Sequence, residues 1–246
     1  MPEQPAMVSI ILPTYNGARY LKEAIDSCLT QTYIHLELIV IDDGSSDDTA
    51  QIIRYIHDPR LKFIQLSQNG GHIAALNKGF ALAQGQYLTW TSDDNYYAPD
   101  AIAAMLDDLI KSRKDFIYTR YYVVDEDGNT LREGRTENPF YLDIDNCVGG
   151  CFLYTRRVYE RIGDFNPEAF LAEDYEYWLR VRNKFKMKKV DRFLYYYRQH
   201  AESLTGLHKA ERVQEQVQKI RNRLLPFWKK WYFSIIGCLR RIKSWF

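Results

Sequence analysis

Apolar and polar positions alternate along this chain in blocks. Val8-Ser9-Ile10-Ile11-Leu12 is an almost unbroken β-branched and aliphatic run halted by Pro13, and Leu36 to Ile41 is a second, halted by Asp42-Asp43-Gly44. Runs of this kind, without polar alternation, read as parallel strands covered on both faces. Between them Tyr20, Ala24, Ile25, Cys28 and Leu29 recur at helical spacing. After the second run, Ser46 or Asp47 is placed to cap a helix carrying Ile52, Ile53 and Ile56. A strand over Leu61 to Leu66, a helix over His72 to Ala83 and a strand over Gln86 to Thr91 continue the series. Strand and helix recur every ~25–30 residues, which calls for a parallel sheet with right-handed crossovers.

Past Asp94 the rhythm changes. A helix is predicted from about Pro99 to Ser112, followed by strand-like Phe116 to Tyr118 and Tyr121 to Val124, and then by the turn Asp127-Gly128-Asn129. Arg156 to Ile162 and Glu173 to Phe185 read as helices and Arg192 to Tyr197 as a late strand, so this half is predicted to be mixed and partly antiparallel. No internal repeat or low-complexity linker interrupts the chain. The expectation is one α/β domain over residues 1–206 and a helical extension over residues 207–246.

Composition narrows the function. Of 246 residues 46% are hydrophobic and 26% charged, enough apolar surface to order a domain and exclude wholesale disorder. The 19 tyrosines exceed what a core needs for its polar handles, so some are candidates for lining a cleft. The net charge of +1 is unevenly spread: Gln216 to Phe246 holds eight Lys or Arg and no acid, leaving 25 basic against 32 acidic groups elsewhere, a balance of about −7. A nucleic-acid partner is excluded on that ground, because phosphate binding needs a basic footprint on the folded body. Cys28, Cys147, Cys151 and Cys238 form no CxxC pair and have no histidine at zinc spacing. With no leader-like start and no apolar run near the ~20 residues of a bilayer span, a cytoplasmic chain is expected. At the far end Trp228, Trp231, Tyr232, Ile235, Leu239, Ile242 and Phe246 fall along one helical stripe opposite Lys229, Lys230, Arg240 and Arg241. That pattern suits a peripheral helix on the anionic inner face of the plasma membrane, or one packing on protein; Gly237 interrupts it.

Polar residues gather where strands should end at the carboxyl edge of the sheet: Pro13-Thr14-Tyr15-Asn16, Asp42-Asp43-Gly44-Ser45 and Ser92-Asp93-Asp94-Asn95. Open α/β sheets bind ligands at that edge. No GxGxxG follows the first strand and no P-loop is present, which removes the dinucleotide and P-loop readings. An acidic cleft repels phosphate unless a divalent cation intervenes, and hard cations take oxygen ligands of the kind Asp93-Asp94 supplies.

The series PTYNG at 13–17, VIDDGSSD at 40–47, TSDDN at 91–95 and AEDYEYW at 172–178 resembles the inverting family 2 glycosyltransferases, over roughly residues 7–200. The resemblance implies a GT-A fold, the Rossmann-like nucleotide-diphospho-sugar transferase architecture with a mixed, mainly parallel sheet flanked by helices. It also implies transfer of a single sugar from a nucleotide-sugar donor, UDP-linked in most cases, to a hydroxyl of a glycan or lipid-linked glycan acceptor. By the same match Pro13, Thr14 and Tyr15 meet the nucleotide, with Tyr15 against the base. Asp43 accepts from the uracil imide while Asp42 is structural. Asp93 holds the ribose, and Asp94 holds Mn²⁺ or Mg²⁺. Asn95 stands where the family's Asp-x-Asp triplet ends, which shifts weight onto Asp94. Asp174 is the implied general base, with Glu173 beside it. Gly149-Gly150-Cys151 resembles an acceptor-side loop with the amide of Gly150 toward the cleft. Trp178 is read either as a platform for the acceptor sugar or as core. Tyr197-Arg198-Gln199-His200 resembles a late segment whose Arg and His fold over the diphosphate, with His200 a metal or phosphate ligand or a structural histidine. Asn69-Gly70-Gly71-His72 is the loop beside the nucleotide, Cys151 a small hydrophobe, and His35 and His57 surface residues. A Gln-x-x-Arg-Trp motif is absent, which argues against processive polymerisation. The competing class is a catalytically silent nucleotide-sugar-binding protein of the same fold.

Overall fold

The structure, a computed structural model, describes residues 5–207 and 210–225. The first apolar run becomes β1, Val8–Thr14, which continues through Pro13, and the second becomes β2, Leu36–Asp42. Every residue of both is buried, as unalternating runs require. Helix α1, Leu21–Leu29, joins them, and α2, Thr49–Arg54, leads to β3, Leu61–Gln65. Next come α3, His72–Leu82, and β4, Tyr87–Trp90. Strands β3, β2, β1 and β4 lie side by side and parallel, with Val8 opposite Leu36 and Tyr87.

The second half completes the sheet with β5, Tyr96–Tyr97, α4, Ala101–Ser112, β6, Phe116–Val124, and β7, Thr130–Glu133. It continues with β8, Phe152–Thr155, α5, Arg156–Ile162, α6, Glu173–Arg182, and β9, Met187–Arg198. The order across the sheet is β3-β2-β1-β4-β8-β6-β9-β5, with β7 on β6. Strand β8 runs antiparallel to both β4 and β6, while β9 is parallel to β6. The two strand segments expected at 116–118 and 121–124 are one strand, and the turn at 127–129 joins it to β7. β9 runs further in each direction than the apolar pattern marks, because bulges around Arg120 let a strand with charged residues keep pace with β6.

Side chains alternate between two cores. Ile10, Leu38, Val40 and Leu153 face the layer of α1 and α4, whereas Ile11, Ile39, Ile41 and Tyr154 face the layer of α3 and α6. Gly79 allows α3 to press on the sheet, since a Cβ there would stand 2.4 Å from Ile11 Cγ2.

The polypeptide then forms α7, Leu204–Leu207, and α8, Ala210–Leu224. Ile220 and Leu225 are buried in the α3/α6 core, and Arg223 Nη2 lies 3.0 Å from Glu176 Oε1. The extension expected from residue 207 therefore begins as a helix seated on α6. The aromatic and basic stripe from Trp228 onward lies outside the described residues. No described helix is long and apolar enough to cross a membrane.

Candidate active site

The carboxyl ends of β1, β2 and β4 open into a cleft of about 500 Å³, closed on its other side by the start of α6 and by residues 197–207. Two loops are laced together at its floor. Asn16 takes a left-handed φ of 52° and its Oδ1 accepts from the Ser46 amide at 2.9 Å, while Ser45 Oγ accepts from the Asn16 amide at 2.9 Å. Gly17 follows because no side chain fits: a Cβ there would stand 2.1 Å from Asp93 Oδ2. That approach lets Thr14 Oγ1 donate to Asp93 Oδ2 at 2.5 Å and ties the end of β1 to the loop after β4.

Asp43 is buried and accepts from the amides of Gly70 and Gly71 at 2.8 and 2.7 Å, one on each oxygen. A carboxylate has about four lone-pair sites, so it retains acceptor capacity toward the cleft. Asp42 accepts from the Ser45 amide and is fully buried, in keeping with a structural role. Tyr15, half exposed, stands at the rim.

Burial, with the adjacent Asp94 charge, pushes the Asp93 carboxyl up to about 7. Burial raises Asp94 as well, against the opposing pull of His200, whose Nε2 lies 3.1 Å from Asp94 Oδ2. The other oxygen, Asp94 Oδ1, and His200 Nδ1 are buried without a hydrogen-bond partner among the described residues. Asn95 does not reach this pair: its Oδ1 accepts from the Arg198 amide at 2.7 Å. Among the described residues no cluster of three or more His, Cys, Asp or Glu forms a metal cage. An orphaned carboxylate oxygen with one imidazole beside it still fits a divalent cation, because Mg²⁺-type sites take one or two protein ligands and fill the rest with substrate phosphates and water.

Across the cleft, Leu171 adopts a left-handed φ of 74° and turns the chain into α6, whose first residues are Glu173 and Asp174. Asp174 Oδ2 accepts from Asn146 Nδ2 at 2.6 Å, and Oδ1 from the Tyr175 amide at 2.6 Å. Burial, joined by the Glu173 charge, raises the Asp174 carboxyl to about 6. Glu173 is also raised by burial; its Oε1 is 3.6 Å from His72 Nε2, too far for a hydrogen bond. Burial lowers His72 to about 4 although Asp174, Asp94 and Asp43 all pull the other way, so it is neutral at pH 7.

Pro13, Thr14, Tyr15, Asp43, Asp93, Asp94, Glu173, Asp174 and His200 thus meet in one cleft. One open alternative is decided, that of Trp178, and two expectations are corrected, those of Gly150 and Arg198. Trp178 is fully buried with its ring edge-on to Phe116 and Phe152, 5.0 and 4.6 Å between centroids, because its position on the amphipathic helix α6 points into the core; it is no acceptor platform. Gly150 does not line the cleft and packs against Tyr195, so closely that a Cβ on it would stand 2.9 Å from Tyr195 Cε1. Arg198 does not fold over the cleft: only 2% of its side chain is exposed, and it donates to the carbonyls of Asp94, Asp125 and Glu126 and to Glu23. Asn146 escapes sequence reasoning, since nothing in its local sequence distinguishes it from other loop asparagines. His72, expected at the helix start beside the nucleotide, is a wall of the site.

A half-parallel, half-mixed sheet thus brings an aspartate pair at one strand tip to face an acidic helix start across a cleft. This chain belongs to glycosyl transferase family 2, whose profile matches residues 9–163. An uncharacterized glycosyltransferase of Rickettsia conorii is 34% identical over 188 residues, 71% of this chain and 31% of the relative. A chondroitin synthase of Pasteurella multocida is 30% identical over 195 residues, 77% of this chain and 20% of the relative. This chain spans between 20% and 58% of the length of such curated relatives. Among solved structures, S. aureus TarS with UDP-GlcNAc superposes with a TM-score of 0.71 at 20% identity, covering 87% of this chain and 65% of that one. A mannosyltransferase of Pyrobaculum calidifontis with GDP-Man and Mn²⁺ superposes at 0.62 and 21% identity, covering 80% and 57%. These likenesses establish the GT-A fold.

Proposed function

We propose that this chain is an inverting, divalent-cation-dependent transferase that moves one sugar from a nucleoside diphosphate, in first preference UDP, to a hydroxyl of a glycan or lipid-linked glycan. One observation carries the reading: Asp94, with an orphaned buried oxygen, and Asp174, with a raised pKa, line the same cleft. Tyr15 lies along the base, Asp43 accepts from the base edge, and Asp93 takes a ribose hydroxyl. Asp94 and His200 hold Mn²⁺ or Mg²⁺, which when bound neutralises the charge of the departing diphosphate.

Asp174 receives the proton of the acceptor hydroxyl as that oxygen bonds to the anomeric carbon and the carbon–oxygen bond to the diphosphate breaks with its electron pair. At pH 7 a carboxylate with a pKa near 6 is mostly ionised and is a stronger base than an ordinary aspartate. Asn146 fixes which oxygen faces the acceptor. One displacement with one base inverts the anomeric centre. The peripheral membrane reading of residues 226–246 stays part of the proposal, as does a location on the inner face of the membrane.

The relatives of this fold that carry UDP-GlcNAc and GDP-Man set the donor panel. Thermal unfolding with UDP, GDP and their sugars, with and without Mn²⁺, tests the reading. A ligand at about 100 times its Kd raises stability by about 2.7 kcal/mol, several degrees in melting temperature. UDP is expected to produce that rise only with Mn²⁺ in the parent and to fail in Asp94→Ala. The same Mn²⁺-dependent rise in the variant overturns the metal assignment.

A further inference from the structure

We infer that Arg19 is the cationic side chain that receives the donor diphosphate, the task the late Tyr-Arg-Gln-His segment suggests for Arg198. The inference rests on the reading of the cleft as a nucleotide-sugar site. Six acidic side chains line that cleft, and Arg19 is the one Lys or Arg among the described residues that does. A diphosphate entering an acidic hollow needs more positive charge than one cation held by Asp94 supplies, and the candidates are few.

Arg198 is already committed. Its Nε bonds the Asp94 carbonyl at 3.0 Å, its Nη1 the carbonyls of Asp125 and Glu126 at 3.2 and 2.6 Å, and its Nη2 the carboxylate of Glu23. Four of the five N–H positions of a guanidinium are taken, and the side chain is 2% exposed. Moving it into the cleft would strip the carbonyls of Asp94 and Glu126 of their donor and that of Asp125 of one of two.

Arg19 is in the opposite condition. Its side chain is 54% exposed, and its ionic partner is Glu126 at 2.6 Å, itself 46% exposed. An ion pair so solvated contributes little and exchanges readily. Its guanidinium lies 4.8 Å over the Tyr20 ring, Tyr20 is 5.1 Å from the His200 ring, and His200 is 3.1 Å from Asp94 Oδ2. Three contacts thus lead from Arg19 to the Asp94 end of the cleft, where the diphosphate is expected. Stacked on Tyr20, the guanidinium keeps its planar fork aimed, and that fork matches two phosphate oxygens at once. Glu126, on the turn between β6 and β7, holds Arg19 at the mouth of the cleft until a diphosphate replaces it.

Calorimetric titration of the full chain with UDP in Mg²⁺ buffer, and competition with uridine, tests this. Arg19→Ala is expected to weaken UDP about tenfold, the scale of one charge-assisted pair, while uridine is unchanged. Arg19→Lys should recover part of the loss, and Glu126→Gln, which frees the guanidinium, should tighten UDP about twofold. UDP binding to Arg19→Ala within about twofold of the parent overturns the inference, as does a loss in Glu126→Gln equal to that in Arg19→Ala, which would mark the pair as structural. A parent chain that binds UDP no better than uridine removes the donor-site reading itself, and this inference with it.

Discussion

The two halves of the sheet reach the same cleft by different means. In the parallel half, β3-β2-β1-β4, topology alone aims the chemistry: every strand runs the same way, so Thr14, Asp43 and Asp93 arrive together where the strands end. In the mixed half, β8-β6-β9-β5, strand direction reverses and no common edge exists. There the functional group is placed by individual hydrogen bonds, with Asn146 holding Asp174, and Arg198 at the end of β9 reaches across to hold the backbone of Asp94 on the parallel side. A parallel sheet positions residues collectively, whereas a mixed one needs a dedicated clamp for each.

The comparison predicts where single substitutions act. The largest effect should fall on the proposed base: Asp174→Asn should lower kcat by at least about 10³-fold in a single-turnover assay while UDP binding stays within about twofold, since the proposed donor site lies on the parallel half. Retained turnover breaks the assignment. Removal of the buried clamp comes next. Arg198→Met removes a donor from the carbonyls of Asp94, Asp125 and Glu126, of which Asp125 keeps the Gly128 amide, and should cost about 3 kcal/mol in urea unfolding. A loss below about 1 kcal/mol would mean that the mixed half does not depend on this clamp.

Asn146→Ala should act more gently, lowering kcat about tenfold to a hundredfold with the donor KM unchanged. It should also leave a signature in pH. The Asn146 amide stabilises ionised Asp174, so its loss raises that carboxyl further. Because the base works only when deprotonated, activity in the parent is expected to fall as pH drops through about 6, and in the variant at a higher pH. A variant whose acidic limb coincides with that of the parent would show that Asn146 does not govern the base.

The same contrast explains what can be read from the sequence. β1, β2 and the helices of the parallel half follow from unbroken apolar runs and helical spacing, because burial on both faces leaves a strong composition signal. The acids at their tips follow from strand order. β5 has two residues and β8 four, too short for periodicity to register, and β9 carries Lys188, Lys189, Asp191 and Arg192 within its length. Trp178 is ambiguous in sequence because an aromatic on an amphipathic helix looks the same facing sugar or core; only the partners Phe116 and Phe152 decide it. Asn146 and Arg198 act through tertiary contacts with residues 28 and 72 to 175 positions away, which no local window contains.

Helix α8 has a consequence for how short the chain can be made. Ile220, Leu225 and Arg223 brace the rear of α6, the helix whose first turn offers Glu173 and Asp174. Trimming at residue 206 would bare an apolar strip and leave Glu176 without the second of its two arginines, Arg180 remaining. A fragment meant to keep Asp174 in register should therefore reach to about residue 225, so that the helix after the sheet still buttresses α6 from behind.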